Sequence, residues 1–313
     1  MQLNQFTYFI ALEKYGSFSK AAEAVGISQP ALTLQIQKLE EELGYRLLDR
    51  SRKPFQVTRE GEAFLERALD IVQRVDELKD LSIEMSEEIA GHLRVGIIPT
   101  VAPYLVPLFI DDLQKKYPQL HLEIQELKTE EIVEELKRGN IDCGILTTPI
   151  QAGSVIKRAL FYERFYLYVS EGHELFQKDE IDLNDVDFSQ LWYLQEGNCF
   201  QNQVNSICQL SGQTDGTEHL VYKSNSIESL RRIVESKRGI TFIPELATID
   251  IPVELEDWVK DIAGIPPLRE VSLVLTRSQA KERQVEALTT ILLNNIPGRM
   301  KKKPEGLIID TDI

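Results

Sequence analysis

The sequence predicts an α/β protein in which an N-terminal winged helix-turn-helix is joined by a long linker helix to a C-terminal α/β portion of two subdomains. Three observations carry this prediction. Over residues 1–60, apolar side chains recur at helical spacing between glycine stops. From Thr58 an apolar repeat of seven residues continues for three to four heptads. After Gly91, β-rich and helical stretches alternate, as βαβ units require. A length of 313 residues is about two domains' worth at roughly 150 residues each, enough for full cores.

The first helix runs from Asn4 to about Lys14, with Leu3, Phe6, Phe9 and Ile10 on one face, and Gly16 ends it. A second follows Ser17 or Ser19 through Lys20–Val25 into Gly26. A third opens at Ser28, with Pro30 in its first turn, where a missing N–H costs nothing. Leu32, Ile36, Leu39 and Leu43 form its buried stripe, and Gly44 stops it. Two helices about a short glycine turn make a helix-turn-helix pattern. Pro30, Thr33, Leu34, Gln37 and Lys38 lie away from the stripe, and Ser28 and Gln29 sit at the helix N-terminus. Small and amide side chains there suit base edges in a DNA major groove, while the helix end suits phosphate. Arg46, Arg50, Arg52 and Lys53 follow as a wing that grips backbone phosphates. A protein–protein module fits the three helices alone; the basic wing favours double-stranded DNA as the partner.

In the long helix, Phe64, Ile71, Leu78 and Met85 recur every seven residues, with Ala68, Val75 and Ser82 between them. Residues 60–90 therefore read as a dimerisation helix; packing against the chain's own C-terminal part is the competing arrangement. Beyond it, Leu93–Ile98, Leu120–Leu127 and Ile141–Leu146 read as strands, with helices over Tyr104–Lys116 and Thr129–Arg138 between them. This order implies a parallel doubly wound sheet. Ile156–Val169 gives further strands, Val271–Leu275 another, and Lys281–Leu293 a last helix. The return at Val271 divides residues 91–299 into a first subdomain, about 91–164 and 266–299, and an inserted second, about 165–265. Residues 1–59 form the winged helix-turn-helix, and residues 300–313 read as a loosely held tail.

A net charge of −15 argues against nucleic acid as a single number. By region it does not: residues 1–60 carry eight basic and seven acidic side chains, and residues 44–59 alone are net +4. No apolar run reaches the roughly 18 residues of a membrane span, and the longest, Val101–Ile110, holds two prolines. The first residues lack the basic start of a signal peptide, so a cytoplasmic protein off the membrane is expected. Four histidines are widely spaced and none pairs with a cysteine at zinc-site spacing, so no metal or other cofactor is expected.

Ser17–Ala22, Val25–Thr33, Ile36–Glu40 and Leu43–Arg50 together resemble the LysR-type transcriptional regulators. The resemblance implies a winged helix-turn-helix, a dimerising linker helix, and an effector domain similar to periplasmic binding proteins. It also implies a homodimer or homotetramer acting with RNA polymerase. Gly96–Leu105, Ile141–Cys143 and Glu196–Phe200, with a second cysteine at 208, narrow the resemblance to the peroxide-sensing members. On that likeness Cys199 stands at the peroxidatic position and Cys208 at the resolving one, with Thr100 and Thr129 at positions that help bind hydrogen peroxide. Asn198, Gln201 and Asn202 occupy places where those members commonly have His, Arg and Asp, groups thought to support the thiolate. A thiol reductant is the implied partner for resetting the pair.

Attack on an O–O bond needs a thiolate, and a free thiol ionises only near pH 8.5. No Lys or Arg occurs between Lys178 and Lys223, so a local cation is absent; a helix beginning at Cys199 and a distant cation, with Arg269 as candidate, are the remaining sources. On one helix, nine residues separate the two cysteines by about 13.5 Å, whereas a disulfide needs Cα atoms within about 7 Å. Bridging must therefore unwind that segment. The chain reads as a peroxide-sensing activator of oxidative-stress genes rather than an enzyme. A regulator answering to a small organic ligand, with incidental cysteines, and a thiol peroxidase are the competing readings. Cys143, inside an apolar strand, reads as core.

Overall fold

The computed structural model describes all residues except 53, 85–87, 154, 195–198, 211–223, 225, 238, 277–280 and 312–313. They form two units, Met1–Glu87 and Glu88–Ile313. In the first lie α1 (Leu3–Tyr15), α2 (Phe18–Ala24), α3 (Gln29–Leu43), β1 (Leu48–Asp49), β2 (Gln56–Val57) and α4 (Arg59–Glu84). Gly16 and Gly44 end α1 and α3 in the left-handed conformation, at φ of 58° and 79°, and donate to Leu12 O and Glu40 O. The predicted stripe of α3 is buried: Leu32, Ile36 and Leu39 pack with Phe9 and Leu12. β1 and β2 pair antiparallel as the wing. A Cβ at Gly61 would stand 2.3 Å from the Leu47 carbonyl, so the start of α4 approaches the wing only because that residue has no side chain.

The linker helix ends earlier than its periodicity predicts. The described part of α4 stops at Glu84, and Glu88–Ala90 are not helical. The second unit already claims that stretch: Gly91 donates to Gln119 O, and Gln284 Nε2 donates to Ala90 O.

The second unit contains β3 (Gly91–Ile97), α5 (Ala102–Lys116), β4 (Leu120–Glu126), α6 (Thr129–Lys137), β5 (Cys143–Thr148) and β6 (Ile156–Val169). After these come β7 (Glu180–Ile181), α7 (Cys199–Leu210), α8 (Ile227–Ser236), β8 (Ile240–Pro244), β9 (Val259–Ile262), β10 (Pro267–Leu275), α9 (Glu282–Asn295) and β11 (Leu307–Ile308). The βαβαβ reading holds for β4-β3-β5, which are parallel. The sheet as a whole is mixed, because β10 enters antiparallel between β5 and β6. Residues Ile156–Val169, read as several strands, form a single one of 14 residues. It pairs with β10 as far as Arg164, then with β8 and β9 from Phe165 onward, so one strand serves two packing environments.

The C-terminal tail is not loose. β11 adds parallel to β10, Leu307 donates to Pro266 O and Ile309 to Leu268 O, and Ile309 and Thr311 are buried. Three consecutive apolar residues in so short a run do not announce a strand; the start of β10 at Pro267–Leu268, which β5 leaves unpaired, makes it one.

Candidate functional site

On α3 the predicted DNA-facing residues share an open surface. Ser28, Gln29, Pro30, Leu34, Gln37 and Lys38 are exposed and Thr33 is half-buried. Ser28 caps the helix by accepting from Ala31 N, and Gln29 accepts from Ser19 Oγ at 2.7 Å, tying α2 to α3. Leu34 is half exposed, an apolar group suited to a thymine methyl.

The wing arginines differ from one another. Arg50 is half-buried, 3.0 Å from Glu40 Oε2 and 5.5 Å over the Phe18 ring. Glu40 also accepts from Leu47 N and Leu48 N, so Arg50 and Glu40 brace the wing against α3. Arg52 is exposed, bonded to Gln56 with Asp49 nearby; Lys53 lies outside the described residues. Arg52→Ala should leave folding intact and lower the salt dependence of DNA binding by about one unit in log–log slope. Arg50→Ala should instead destabilise the first unit by about 1–3 kcal/mol, since it strips a buried carboxylate of its cation. Thermal melts beside salt titrations separate the two; equal melting and equal slopes would contradict the assignment.

Along α4, Phe64 belongs to the first unit's core, its ring 5.6 Å and 5.7 Å from those of Phe6 and Phe9. Ile71 and Leu78 are open, at 42% and 65% exposure, and Met85 lies outside the described residues.

All three cysteines are buried, in two different settings. Cys143 is wholly buried in β5, and burial, helped by the Asp142 carboxylate, pushes its thiol far up. Cys199 and Cys208 are not bridged and lie on one continuous helix, α7, with Cys199 as its first residue. Nine residues of helix hold them about 13.5 Å apart along the axis, too far for a bridge.

Thr100 follows the end of β3, and Thr129 begins α6 just past the end of the adjacent parallel strand β4, the position where α/β sheets place ligands. Both are buried, and the Thr129 hydroxyl has no hydrogen-bond partner among the described residues. Arg269, from β10, is fully buried; it donates to Thr100 Oγ1 at 3.3 Å and Thr100 O at 3.1 Å. Its guanidinium lies 5.2 Å over the ring of Phe200, the neighbour of Cys199. The fold thus brings the one cation singled out from afar to the threonine and the start of α7.

Sequence reasoning missed Glu163. It is the cross-strand partner of Arg269 between β6 and β10, fully buried, with Oε1 2.6 Å from Arg269 Nε and Oε2 accepting from Leu246 N. Burial raises its carboxyl and Arg269 draws it back down. Only strand register reveals this pair, since 106 residues separate its members. Tyr104 was also missed: its hydroxyl donates to Glu228 Oε1 at 2.9 Å and ties α5 to α8. Ser226 caps α8 by accepting from Ser229 N.

Gln201 accepts from Leu194 N and donates to Asn205, and Asn202 donates to Thr311 O, so both amides are committed to structure. Asn198 and its cap lie outside the described residues.

A helix-turn-helix with a basic wing, joined to an α/β unit holding a buried polar cluster beside a cysteine helix, defines a DNA-binding transcriptional regulator with a sensing domain. The chain belongs to the LysR family: residues 3–62 match the bacterial regulatory helix-turn-helix protein, lysR family, and residues 86–296 the LysR substrate binding domain. It is 31% identical to the hydrogen peroxide-inducible genes activator of Haemophilus influenzae, over 95% of this chain and 97% of that one. It is 30% identical to the DNA-binding transcriptional dual regulator OxyR of Escherichia coli K12, over 96% and 98%. Its structure is similar to that of a full-length OxyR variant from Pseudomonas aeruginosa, with a TM-score of 0.77 at 29% identity, covering 95% and 99%.

Proposed function

We propose that this chain is a peroxide-responsive transcriptional activator, working in the cytoplasm as a homodimer or homotetramer on promoter DNA and signalling through a reversible Cys199–Cys208 disulfide. The observation that carries the reading is the cluster of Arg269, Thr100 and Phe200 beside the first residue of α7, on the same helix as a second thiol. In the first step the Cys199 thiolate attacks one peroxide oxygen, the O–O bond breaks, and the departing hydroxide takes up a proton and leaves as water. Thr100 accepts from Arg269, which leaves its own hydroxyl proton to donate to the peroxide, and the unpartnered Thr129 hydroxyl adds a second donor. In the second step the Cys208 sulfur attacks the Cys199 sulfenic acid, the S–O bond breaks, and a second water leaves. Two thiols thus supply the two electrons that reduce one peroxide. A thiol reductant reverses the bridge, and changed contact with RNA polymerase is the output.

The test is one equivalent of hydrogen peroxide on the reduced full-length protein, with disulfide mapping by mass spectrometry and DNA footprinting. A 199–208 bridge and a footprint different from that of Cys199→Ser are expected. A peroxide-treated protein with neither sinks the proposal, and catalytic peroxide turnover with a thiol reductant would favour an enzyme.

A further inference from the structure

The tail that β11 anchors is held at its far end by the redox helix. Gln203, fully buried in α7, donates from Nε2 to the carbonyl of Ile309 at 2.9 Å. Its neighbour Asn202 donates from Nδ2 to the carbonyl of Thr311 at 3.0 Å. Thr311, itself without exposure, bonds in turn to Pro149 O beyond β5, and Ile309 and Leu307 line one small cavity with Ile207 of α7. Asn202 and Gln203 lie between the two cysteines, inside the stretch that must unwind before Cys199 and Cys208 approach within about 7 Å.

From these contacts we infer that residues 305–311 act as a clasp that exists only with α7 intact and sets how readily the disulfide forms. An interaction made in one state alone shifts the equilibrium toward that state, and the coupling is reciprocal: the tail favours the reduced helix, and bridging loosens the tail. One buried and one half-buried hydrogen bond present in the reduced form only are worth roughly tenfold in the thiol–disulfide equilibrium constant. The inference rests on the 199–208 bridge proposed above, and assigns to the tail and to Gln203 the regulation of that site.

The experiment compares full-length protein, a chain ending at Pro304, and Gln203→Met, which keeps the side-chain volume and removes the donor. Each is equilibrated in glutathione buffers of graded ratio, and the 199–208 bridge is quantified by mass spectrometry. Hydrogen exchange at the amides of Leu307 and Ile309 is followed in the reduced and bridged states. The shortened chain should reach half-oxidation in a roughly tenfold more reducing buffer and Gln203→Met, which removes one of the two bonds, in a roughly fivefold more reducing one, and bridging of the full-length chain should speed exchange at the two amides. Peroxide-treated Cys208→Ser, which cannot bridge, should show no such increase. Equal midpoints in all three proteins, or unchanged exchange on bridging, would overturn the clasp while leaving the disulfide standing. A full-length chain that never bridges would overturn both, and the mass map distinguishes that result from the others. If the shortened chain fails to fold, Gln203→Met decides alone.

Discussion

Arg269→Met should cost about 3–5 kcal/mol of the second unit's stability near neutral pH, the usual penalty for stranding the partner of a fully buried ion pair. The reason lies in Glu163, which has no exposure and whose carboxyl is raised by burial and drawn down by Arg269 and the Leu246 N–H. Without the arginine only the backbone donor opposes burial, and the carboxyl rises further. A group whose folded pKa lies above its unfolded value stabilises fully below the unfolded value and loses that contribution as pH climbs through the folded one. The deficit of the variant should therefore be smallest in acid and grow toward alkaline pH. Adding Glu163→Gln removes the stranded charge and should recover most of the loss. Urea unfolding across pH 5–8 reads this directly, and a deficit independent of pH would remove Glu163 from the explanation. The same variant should slow oxidation of Cys199, because Thr100 loses its donor and Phe200 the cation above its ring.

Leu78→Asp should dissociate the proposed dimer. Leu78 stands 65% exposed on α4, seven residues beyond Ile71, which is also open. Burying a leucine is worth about 1.5–3 kcal/mol, and a twofold dimer loses two, so dissociation should strengthen at least a hundredfold even before the two new carboxylates repel. Operator affinity should fall with it, since two half-sites bound independently lose their coupling. Sedimentation of the variant at micromolar concentration checks the prediction. An unchanged dimer would place the self-association surface elsewhere. Phe64→Asp, one heptad earlier, should unfold the first unit instead, because that ring packs on Phe6 and Phe9.

These two predictions draw on different sources. The open positions Ile71 and Leu78 of α4 are legible in the sequence because a helix writes its exposed face into a local period. Yet periodicity alone assigned Phe64 to the seam, where the structure gives it to the core, since a residue near a helix start meets whatever folds back against it. The Arg50 wing contact shows the same limit: charge marked it as a phosphate ligand, and nothing local announced its ion pair with Glu40 on α3. Glu163 and Arg269 have no local signal at all.

The sequence by itself determined the architecture: helix-turn-helix, basic wing, long helix, βαβ units, and two cysteines nine residues apart on a helix-forming stretch. Each follows from periods and caps that act within a few residues. Tertiary structure alone decided the rest. Strand register set Arg269 against Glu163, the start of β10 that β5 leaves unpaired captured the tail, and α7 bound that tail through Asn202 and Gln203. Buried charges and backbone carbonyls must be satisfied by whatever the fold brings near them, and those partners lie more than a hundred residues away in the chain.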